Sequence, residues 1–211
     1  ALLLQTGAEC VDVLKRQISQ IEQAITSFKD PRSLPFSMDK ALCQQYWNVR
    51  KGVFPAVGAT RAAGTTALIE DVCYPVARLT EALAALRTLL NQHGYADAVI
   101  YGHALDGNMH FIFAQGFTTE ADKHRYQQLI DAVVCHVVDG FDGSLKAEHG
   151  TGRNMAPFVR REWGDKAYAA MRRIKQLLDP NGIFNPGVLL NDDPLVHLKQ
   201  LKPLPISNPL I

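Results

Sequence analysis

Apolar residues recur at helical spacing in two long stretches of the chain. In the first stretch they follow one another in alternating steps of three and four, at Val11, Leu14, Ile18, Ile21, Ile25 and Phe28. In the second stretch the same spacing occurs at Val76, Leu79, Leu83, Leu86 and Leu90. Because such steps keep side chains on one face of an α-helix, both stretches are predicted to be helices. Residues 29–31 are expected to end the first helix, and Gly94 the second.

Shorter patterns predict the remaining elements. Further helices are expected over residues 39–50, 119–138 and 165–178. Apolar runs predict strands over residues 2–5, 65–70, 98–104 and 109–115, an edge strand over 34–37, and a strand that ends near Glu148. Residues 52–64, rich in Gly, Ala and Pro, are expected to form an ordered loop. The mixed order of elements indicates an α+β fold with an antiparallel sheet covered by helices.

Composition narrows the classes of function. A formal net charge of +1 argues against a broad basic surface, so no nucleic-acid partner is expected. The four cysteines include no C-x-x-C pair, so an iron–sulfur cluster or zinc ribbon within this chain is not expected. No apolar run approaches the roughly 20 residues that span a bilayer, and no signal peptide is visible. A cytoplasmic protein, peripheral to the inner membrane at most, is therefore expected.

The two ends of the chain bear on its domain organisation. The chain lacks an initiator methionine and opens on an apolar run, from which we expect a piece of a longer protein. Residues 1–190 are predicted to form one domain. Residues 191–211 contain four prolines and are expected to be an extended tail or linker.

A candidate metal site lies on the predicted hairpin. Asp106 and Gly107 stand between two apolar runs, which favours a two-residue type I′ turn. That turn would place His103 directly opposite His110, with Cβ atoms about 5 Å apart. With Glu148 as a third ligand, the set would suit zinc or manganese and leave positions open for a bidentate substrate. The alternative is a pair of surface histidines and a solvated glutamate.

His149, beside Glu148, is a candidate proton acceptor, because an unligated histidine titrates near neutral pH. In extended backbone it would point away from Glu148, whereas a kink at Gly150 would bring both side chains to one cavity. The alternative is a buried histidine with a structural hydrogen bond.

Three stretches together resemble the C-terminal domain of FAD-linked oxidases of the vanillyl-alcohol-oxidase type: GHALDGNMHF, KAEHGTGR and LDPNGIFNPGVLL. Within that group they are most similar to the D-lactate and D-2-hydroxyglutarate dehydrogenase branch. RKGVFPAVGA and GTTALIEDVCYPV resemble its long bacterial form, in which a flavin domain and cap are joined to an iron–sulfur domain. The resemblance covers about 46–190 and implies a ferredoxin-like cap laid over a flavin.

The resemblance also implies roles for individual residues. It implies that His103, His110 and Glu148 hold a divalent metal and that His149 lies at the substrate. Arg50, in the stretch WNVR, resembles the family arginine that binds a substrate carboxylate. A guanidinium suits a carboxylate because it can bind both oxygens at once. The alternative for Arg50 is an exposed arginine on a helix.

Asn185 and Gly187, in the stretch NPG, resemble a motif that packs against the flavin, with an ordinary turn after a helix as the alternative. The chain departs from the mammalian-type 2-hydroxyglutarate enzymes at three positions that there carry a lysine, an asparagine and a threonine, and that here are Ile69, Ile112 and Phe54. These departures leave the exact substrate open, and Arg61 is a candidate replacement for the lysine.

These features together predict the substrate- and metal-binding part of a flavin-dependent dehydrogenase. Such an enzyme would oxidise a D-2-hydroxy acid, 2-hydroxyglutarate or lactate, to the 2-oxo acid and pass electrons to an acceptor protein or a quinone. No glycine-rich dinucleotide fingerprint occurs in the chain, so its FAD is expected to be bound mainly by a domain outside these residues. Two alternatives stay open: a metal-dependent hydrolase that uses the same ligands, and a non-catalytic metal-binding module.

Overall fold

The structure is a computed structural model that describes residues 2–26 and 35–201. The chain divides into two compact units, Ala1–Val53 and Phe54–Ile211, and the second unit contains the sheet. Within the described residues, no helix combines the length and the apolar character that crossing a bilayer requires.

Two helices form in the first unit, as the sequence predicts. Helix α1 spans Val11–Ile25 and helix α2 spans Lys40–Lys51. The Asp39 carboxylate accepts two backbone N–H groups at the start of α2, which lack partners inside the helix. The predicted end of the first helix, from residue 28 to 31, lies outside the described residues.

Three other predictions for this part of the chain are wrong where they can be compared. Residues 2–5 form no strand, because no described segment pairs with their backbone, and the leucine side chains there are exposed. The described part of the predicted edge strand, residues 35–37, is irregular as well. The predicted loop contains helix α3, Val53–Thr60, in which Pro55 occupies the first turn, where a missing N–H breaks no hydrogen bond.

The second unit is built around a three-stranded antiparallel sheet. Its strands are β1 (Thr66–Cys73), β2 (Val99–His103) and β3 (Asn108–Gln115), in the spatial order β1-β3-β2. Helix α4 (Leu79–Gln92) connects β1 to β2, and helix α5 (Glu120–Val134) follows β3. This strand–helix–strand–strand–helix order is that of a ferredoxin-like unit, which confirms the predicted α+β class.

The predicted strand that ends near Glu148 is reduced to a single bridge. After α5 the helix continues as a π-helical turn, Cys135–Gly140, and the chain then meets β1 only at the pair Cys73 and Ser144. A fourth ferredoxin-like strand would lie here, along the free edge of β1. Residues 146–150 instead take an irregular path, because side chains of β1 and not strand pairing hold them.

The two faces of the sheet carry different kinds of side chain. Helices α4 and α5 pack on one face, where Val72, Phe111 and Phe113 belong to the hydrophobic core. Since side chains alternate along a strand, the residues between these point to the opposite face. Asp71, His110, Tyr101 and His103 all lie on that opposite face.

The last part of the chain folds back onto the core. Helix α6 spans Val159–Leu178, with a break at Gly164, where φ is 76°, and it begins earlier than the sequence predicts. A 3₁₀ turn, Val196–Leu198, follows, and Leu198 and Leu201 pack against the core. Residues 191–201 thus contain a helical turn and contacts with the core, while the domain boundary at residue 190 stays a prediction, and residues 202–211 lie outside the described part.

Candidate functional site

The β2–β3 hairpin carries two of the site histidines, and its turn differs from the predicted one. His103 pairs with Asn108 and Tyr101 pairs with His110, so the loop has four residues and not two. A 3₁₀ turn, Ala104–Asp106, fills it and ends at a left-handed glycine. His103 is consequently a diagonal neighbour of His110, on the same face of the sheet, with ring centroids 5.9 Å apart and planes perpendicular.

Glu148 joins these histidines from a separate stretch of chain. Its Oε1 atom lies 2.8 Å from His110 Nε2 and 3.6 Å from His103 Nε2. His110 is buried, whereas the side chains of His103 and Glu148 are 45% and 46% exposed. The three residues that the sequence singles out as ligands are thus together, in a cluster that opens to one side.

The donor atoms of this cluster fit a divalent cation. Two imidazole nitrogens and one carboxylate oxygen lie within 4.8 Å of one another. Ligand atoms at zinc distances in tetrahedral geometry are separated by about 3.4 Å, close to the separations found here. Burial lowers the pKa of His110 below its ordinary 6.5, and a neutral imidazole is the form that binds metal.

His149 borders the same cluster. Its ring stacks on that of His110, with centroids 4.9 Å apart and an 8° angle between the planes. Its Nε2 atom lies 3.8 Å from Glu148 Oε1, and the side chain is 43% exposed. Because the backbone here is irregular, the two neighbouring side chains do not point in opposite directions, and both lie at the same partly exposed cluster.

Asp71 is a site residue that sequence reasoning missed. It is fully buried, and its Oδ2 atom accepts the backbone N–H groups of Ala147, Glu148 and His149 at 2.9, 2.9 and 2.8 Å. Its Oδ1 atom lies 3.2 Å from His110 Nδ1. The available signal was an acidic residue inside an apolar run, because a buried carboxylate requires partners.

The neighbouring acid, Glu70, holds the same segment from the other side of β1. Its carboxylate accepts a hydrogen bond from Lys146 Nζ at 2.8 Å and another from the Asn154 amide, which in turn accepts from the Tyr126 hydroxyl at 2.7 Å. Burial raises the pKa of Glu70, and the Lys146 ammonium opposes that rise. This buried ion pair fixes the start of the segment that carries Glu148.

The two predicted substrate arginines have different surroundings. Arg50 lies in the last turn of α2, in the first unit. Arg61 donates to the carbonyl groups of Thr65, at 2.9 Å from Nε, and of Gly58 in helix α3, so neighbouring backbone carbonyls hold it. The roles of both at a substrate stay predictions.

The NPG stretch forms a turn that touches the loop after His149. Asn185 and Gly187 both have positive φ, 44° and 72°. Arg153 donates to the Pro186 carbonyl at 3.3 Å, and the Leu189 N–H donates to the carbonyl of the glycine at position 152 at 3.2 Å. Two of the motifs found in the sequence are thereby brought into contact, and the flavin contact of the turn stays a prediction.

The departures at Ile69 and Ile112 fall on one rung of the sheet. These two residues are direct cross-strand partners, next to the partners Asp71 and His110 on the same face. Two positions that carry polar groups in the mammalian-type enzymes thus form an apolar pair beside the candidate site.

Comparison with known proteins identifies the family. Residues 1–189 match the family described as FAD linked oxidases, C-terminal domain, and the chain belongs to it. The chain is 33% identical over 175 residues to a mitochondrial D-lactate dehydrogenase (cytochrome) of Arabidopsis thaliana, an alignment covering 83% of this chain and 30% of that protein. It is 30% identical over 155 residues to a D-2-hydroxyglutarate dehydrogenase of Xanthomonas citri, covering 72% and 32%.

A further relative is a glycolate oxidase subunit of Bacillus subtilis, 24% identical over 138 residues, which covers 65% of this chain and 29% of the relative. The chain thus spans about a third of the length of the curated relatives that it matches. Their names share one class of small molecule, the 2-hydroxy acids.

Proposed function

We propose that this chain is the substrate- and metal-binding domain of a flavin-dependent dehydrogenase that oxidises a D-2-hydroxy acid to the 2-oxo acid. Family membership supports the flavin, and the names of the relatives support the substrate class. Lactate and 2-hydroxyglutarate are the two candidate substrates. The resemblance to the long bacterial form extends the proposal to an iron–sulfur domain elsewhere in the parent protein, which would receive the electrons.

The observation that carries the proposal is the convergence of His103, His110 and Glu148 in one partly exposed cluster. In the proposal these three residues hold a divalent cation, zinc or manganese. When bound, that cation would polarise the hydroxyl group of the substrate, and FAD would supply the acceptor for the hydride on the α-carbon. The open side of the cluster leaves room for a hydroxyl and a carboxylate oxygen.

His149 takes the hydroxyl proton at a ring nitrogen in this proposal. Its ring lies beside the cluster and is partly exposed, so a substrate oxygen can approach it. The O–H bond breaks as its proton moves to His149, the C–H bond breaks as its electron pair leaves with the hydrogen, and the carbonyl forms.

The remaining predicted residues are proposed to bind and orient the substrate and the flavin. Arg50 is proposed to bind the substrate carboxylate, so that the C–H bond points toward the flavin. Arg61 is proposed to contact a second polar group where a substrate has one. Asn185 and Gly187 are proposed to contact the flavin through the exposed turn that they form.

Substitution of the ligand residues tests the proposal in the parent protein. His103→Ala and Glu148→Gln should each weaken zinc binding and lower kcat/KM for the preferred D-2-hydroxy acid by at least about 100-fold, because loss of the cation removes several kcal/mol of stabilisation. The measurements are metal content and reduction of a dye by the D and L forms of lactate and 2-hydroxyglutarate.

His124→Ala is the matched control, since His124 is an exposed histidine on helix α5, and it should retain full activity. Normal oxidation by the ligand variants after chelation would refute the metal site. Hydrolysis that needs no electron acceptor, or metal binding without any turnover, would refute the dehydrogenase.

A further inference from the structure

Asp71 and His110 are direct partners across strands β1 and β3. Both are buried, and both point to the face of the sheet that carries the candidate site. Asp71 Oδ1 and His110 Nδ1 lie 3.2 Å apart, and neither has another hydrogen-bond partner within the described residues. The contact is not well aligned as a hydrogen bond, but each atom is the partner that the other has available.

The opposite oxygen of Asp71 organises a different stretch of chain. Oδ2 accepts three consecutive N–H groups, from Ala147 to His149, all within 2.9 Å. Consecutive N–H groups that point at one carboxylate oxygen fix the direction of the backbone between them. The Glu148 side chain starts from that backbone and ends 2.8 Å from His110 Nε2.

A histidine that binds a metal through one ring nitrogen needs a partner that keeps the proton on its other ring nitrogen. If Asp71 accepts a hydrogen bond from the N–H group at His110 Nδ1, then Nε2 of the neutral ring carries a lone pair and faces Glu148, where a cation would lie. Histidines that bind metal commonly donate their other N–H to a carboxylate, which fixes the tautomer and the ring orientation.

We propose that Asp71 is the positioning residue that assembles this site from its two segments. One oxygen sets the tautomer of His110 on the hairpin, and the other sets the backbone that presents Glu148 and His149. The inference rests on the metal site of the proposed function. Asp71 also comes close to His149, but it lies fully buried among N–H donors, so it acts by accepting hydrogen bonds and not as a ligand.

Asp71→Asn tests both roles of Asp71, because an amide has only one accepting oxygen and cannot accept from His110 and from the three backbone N–H groups with different oxygens. If that oxygen accepts the three N–H groups, the NH₂ group faces His110 Nδ1 and forces the ring proton onto Nε2. If the amide is turned over, its NH₂ group faces three donors. In the full chain we expect zinc affinity, measured by competition with a chelator, to fall about 10- to 100-fold. We also expect faster amide hydrogen exchange at residues 147–149 in the metal-free state.

Asp106→Asn is the matched control, because Asp106 is an exposed acid in the adjacent hairpin loop and its loss changes the charge equally. It should leave both measurements unchanged. Equal zinc affinity in Asp71→Asn and in the unsubstituted chain would overturn the inference. If the unsubstituted chain binds no zinc, the metal site of the proposed function fails. Amide hydrogen exchange at residues 147–149 still tests the role of Asp71 in that case. An unchanged exchange rate in Asp71→Asn would overturn the inference.

A third measurement needs no variant and covers the case in which Asp71→Asn does not fold. Nitrogen-15 NMR of the unsubstituted chain, with and without zinc, reports which ring nitrogen of His110 carries the proton. A proton on Nδ1 supports the inference. A proton on Nε2, or zinc bound through Nδ1, overturns it.

Discussion

At the scale of single residues, burial removes the Glu70 carboxylate from water, and the Lys146 ammonium offsets the free energy that this desolvation costs. Their side chains are 5% and 13% exposed, and the two charged groups lie 2.8 Å apart. Removal of one partner from a buried ion pair leaves the other charge without compensation, which is far more damaging than loss of a surface pair. The pair therefore matters for stability chiefly when it is broken.

Lys146→Met should lower the free energy of unfolding at pH 7 by about 3–5 kcal/mol. The pKa of Glu70 is already above its ordinary 4.5 and should rise further in the variant. A carboxyl with a raised folded-state pKa favours folding below its unfolded pKa, and that contribution is lost as pH rises through the folded value. The deficit relative to the unsubstituted chain should thus be smallest near pH 4 and grow toward pH 8, as measured by urea unfolding.

Lys123→Met provides the comparison, because Lys123 pairs with the exposed Glu120 one helical turn away. That change should cost no more than about 1 kcal/mol at any pH. Equal losses in the two variants would show that the Glu70 pair does not behave as a buried one.

Sequence reasoning reached some of these residues and not others, for a physical reason. His103, His110 and Glu148 belong to short stretches with a turn signal or a family motif, so local sequence marks them. Asp71 and Glu70 lie in the stretch GTTALIEDVCYPV, but its resemblance to the long bacterial form assigns them no role. The apolar run around them indicates burial, but their importance comes from partners about 76 residues away along the chain, which local sequence does not reveal.

At the scale of elements, side chains at the edge of β1 hold the segment that a fourth strand would otherwise occupy. A fourth strand would offer its N–H groups to backbone carbonyls of β1. Here three such N–H groups go to the Asp71 carboxylate, while Glu70 binds Lys146 on the other face. Alternation along one strand lets two adjacent acids hold one segment from both sides. The segment is consequently free of strand geometry, which allows the side chains of both Glu148 and His149 to lie beside His110.

The hairpin shows where turn prediction fails. Asp-Gly suits a two-residue turn, and it equally suits a 3₁₀ turn that ends at a left-handed glycine. The choice depends on a contact distant in sequence, since the Tyr74 N–H donates to the Gly107 carbonyl at 3.0 Å. Similarly, helix α3 escaped prediction because its residues have no helical periodicity.

Gly107→Ala tests the importance of this turn. Its φ is +69°, and an added Cβ would lie 2.0 Å from the Tyr74 carbonyl oxygen, so that the backbone must move. The left-handed conformation alone costs a non-glycine residue about 1–2 kcal/mol, and we expect at least that loss in the free energy of unfolding.

Gly58→Ala is the control, since Gly58 lies in helix α3 and its added Cβ meets nothing within 4 Å. Alanine there should leave stability unchanged or raise it by about 0.5–1 kcal/mol. Both effects can be read from urea unfolding curves. A Gly107→Ala chain as stable as the unsubstituted one would show that the hairpin tip is not held against β1.

At the scale of the whole molecule, the order of strands and helices from β1 to α5 was predictable, whereas the core contacts made after residue 190 were not. Prolines suggested an extended tail, yet His197 is 5% exposed and lies against the rings of Phe158 and Tyr126. Packing of Leu198 and Leu201 on the core is a tertiary contact that composition does not reveal.

A chain ended after residue 190 should therefore be less stable than one ended after residue 201. Burial of an apolar side chain contributes about 1.5–3 kcal/mol when complete, so loss of these two partly buried leucines should cost roughly 2–4 kcal/mol in urea unfolding. Leu195→Ala, at a 46% exposed position, should change little. Identical unfolding of the two shortened chains would instead support a domain boundary at 190.

The separation of the two sheet faces has a consequence for how this domain can diversify. The residues that pack under the helices, such as Phe111 and Phe113, never share a face with His110 or with the apolar rung of Ile69 and Ile112. Under the proposed function, exchange of that rung for polar or larger side chains would alter which acid fits beside the histidines without a change in the residues under the helices. The face of the sheet that carries the candidate site can thus change during evolution independently of the face that packs against the helices.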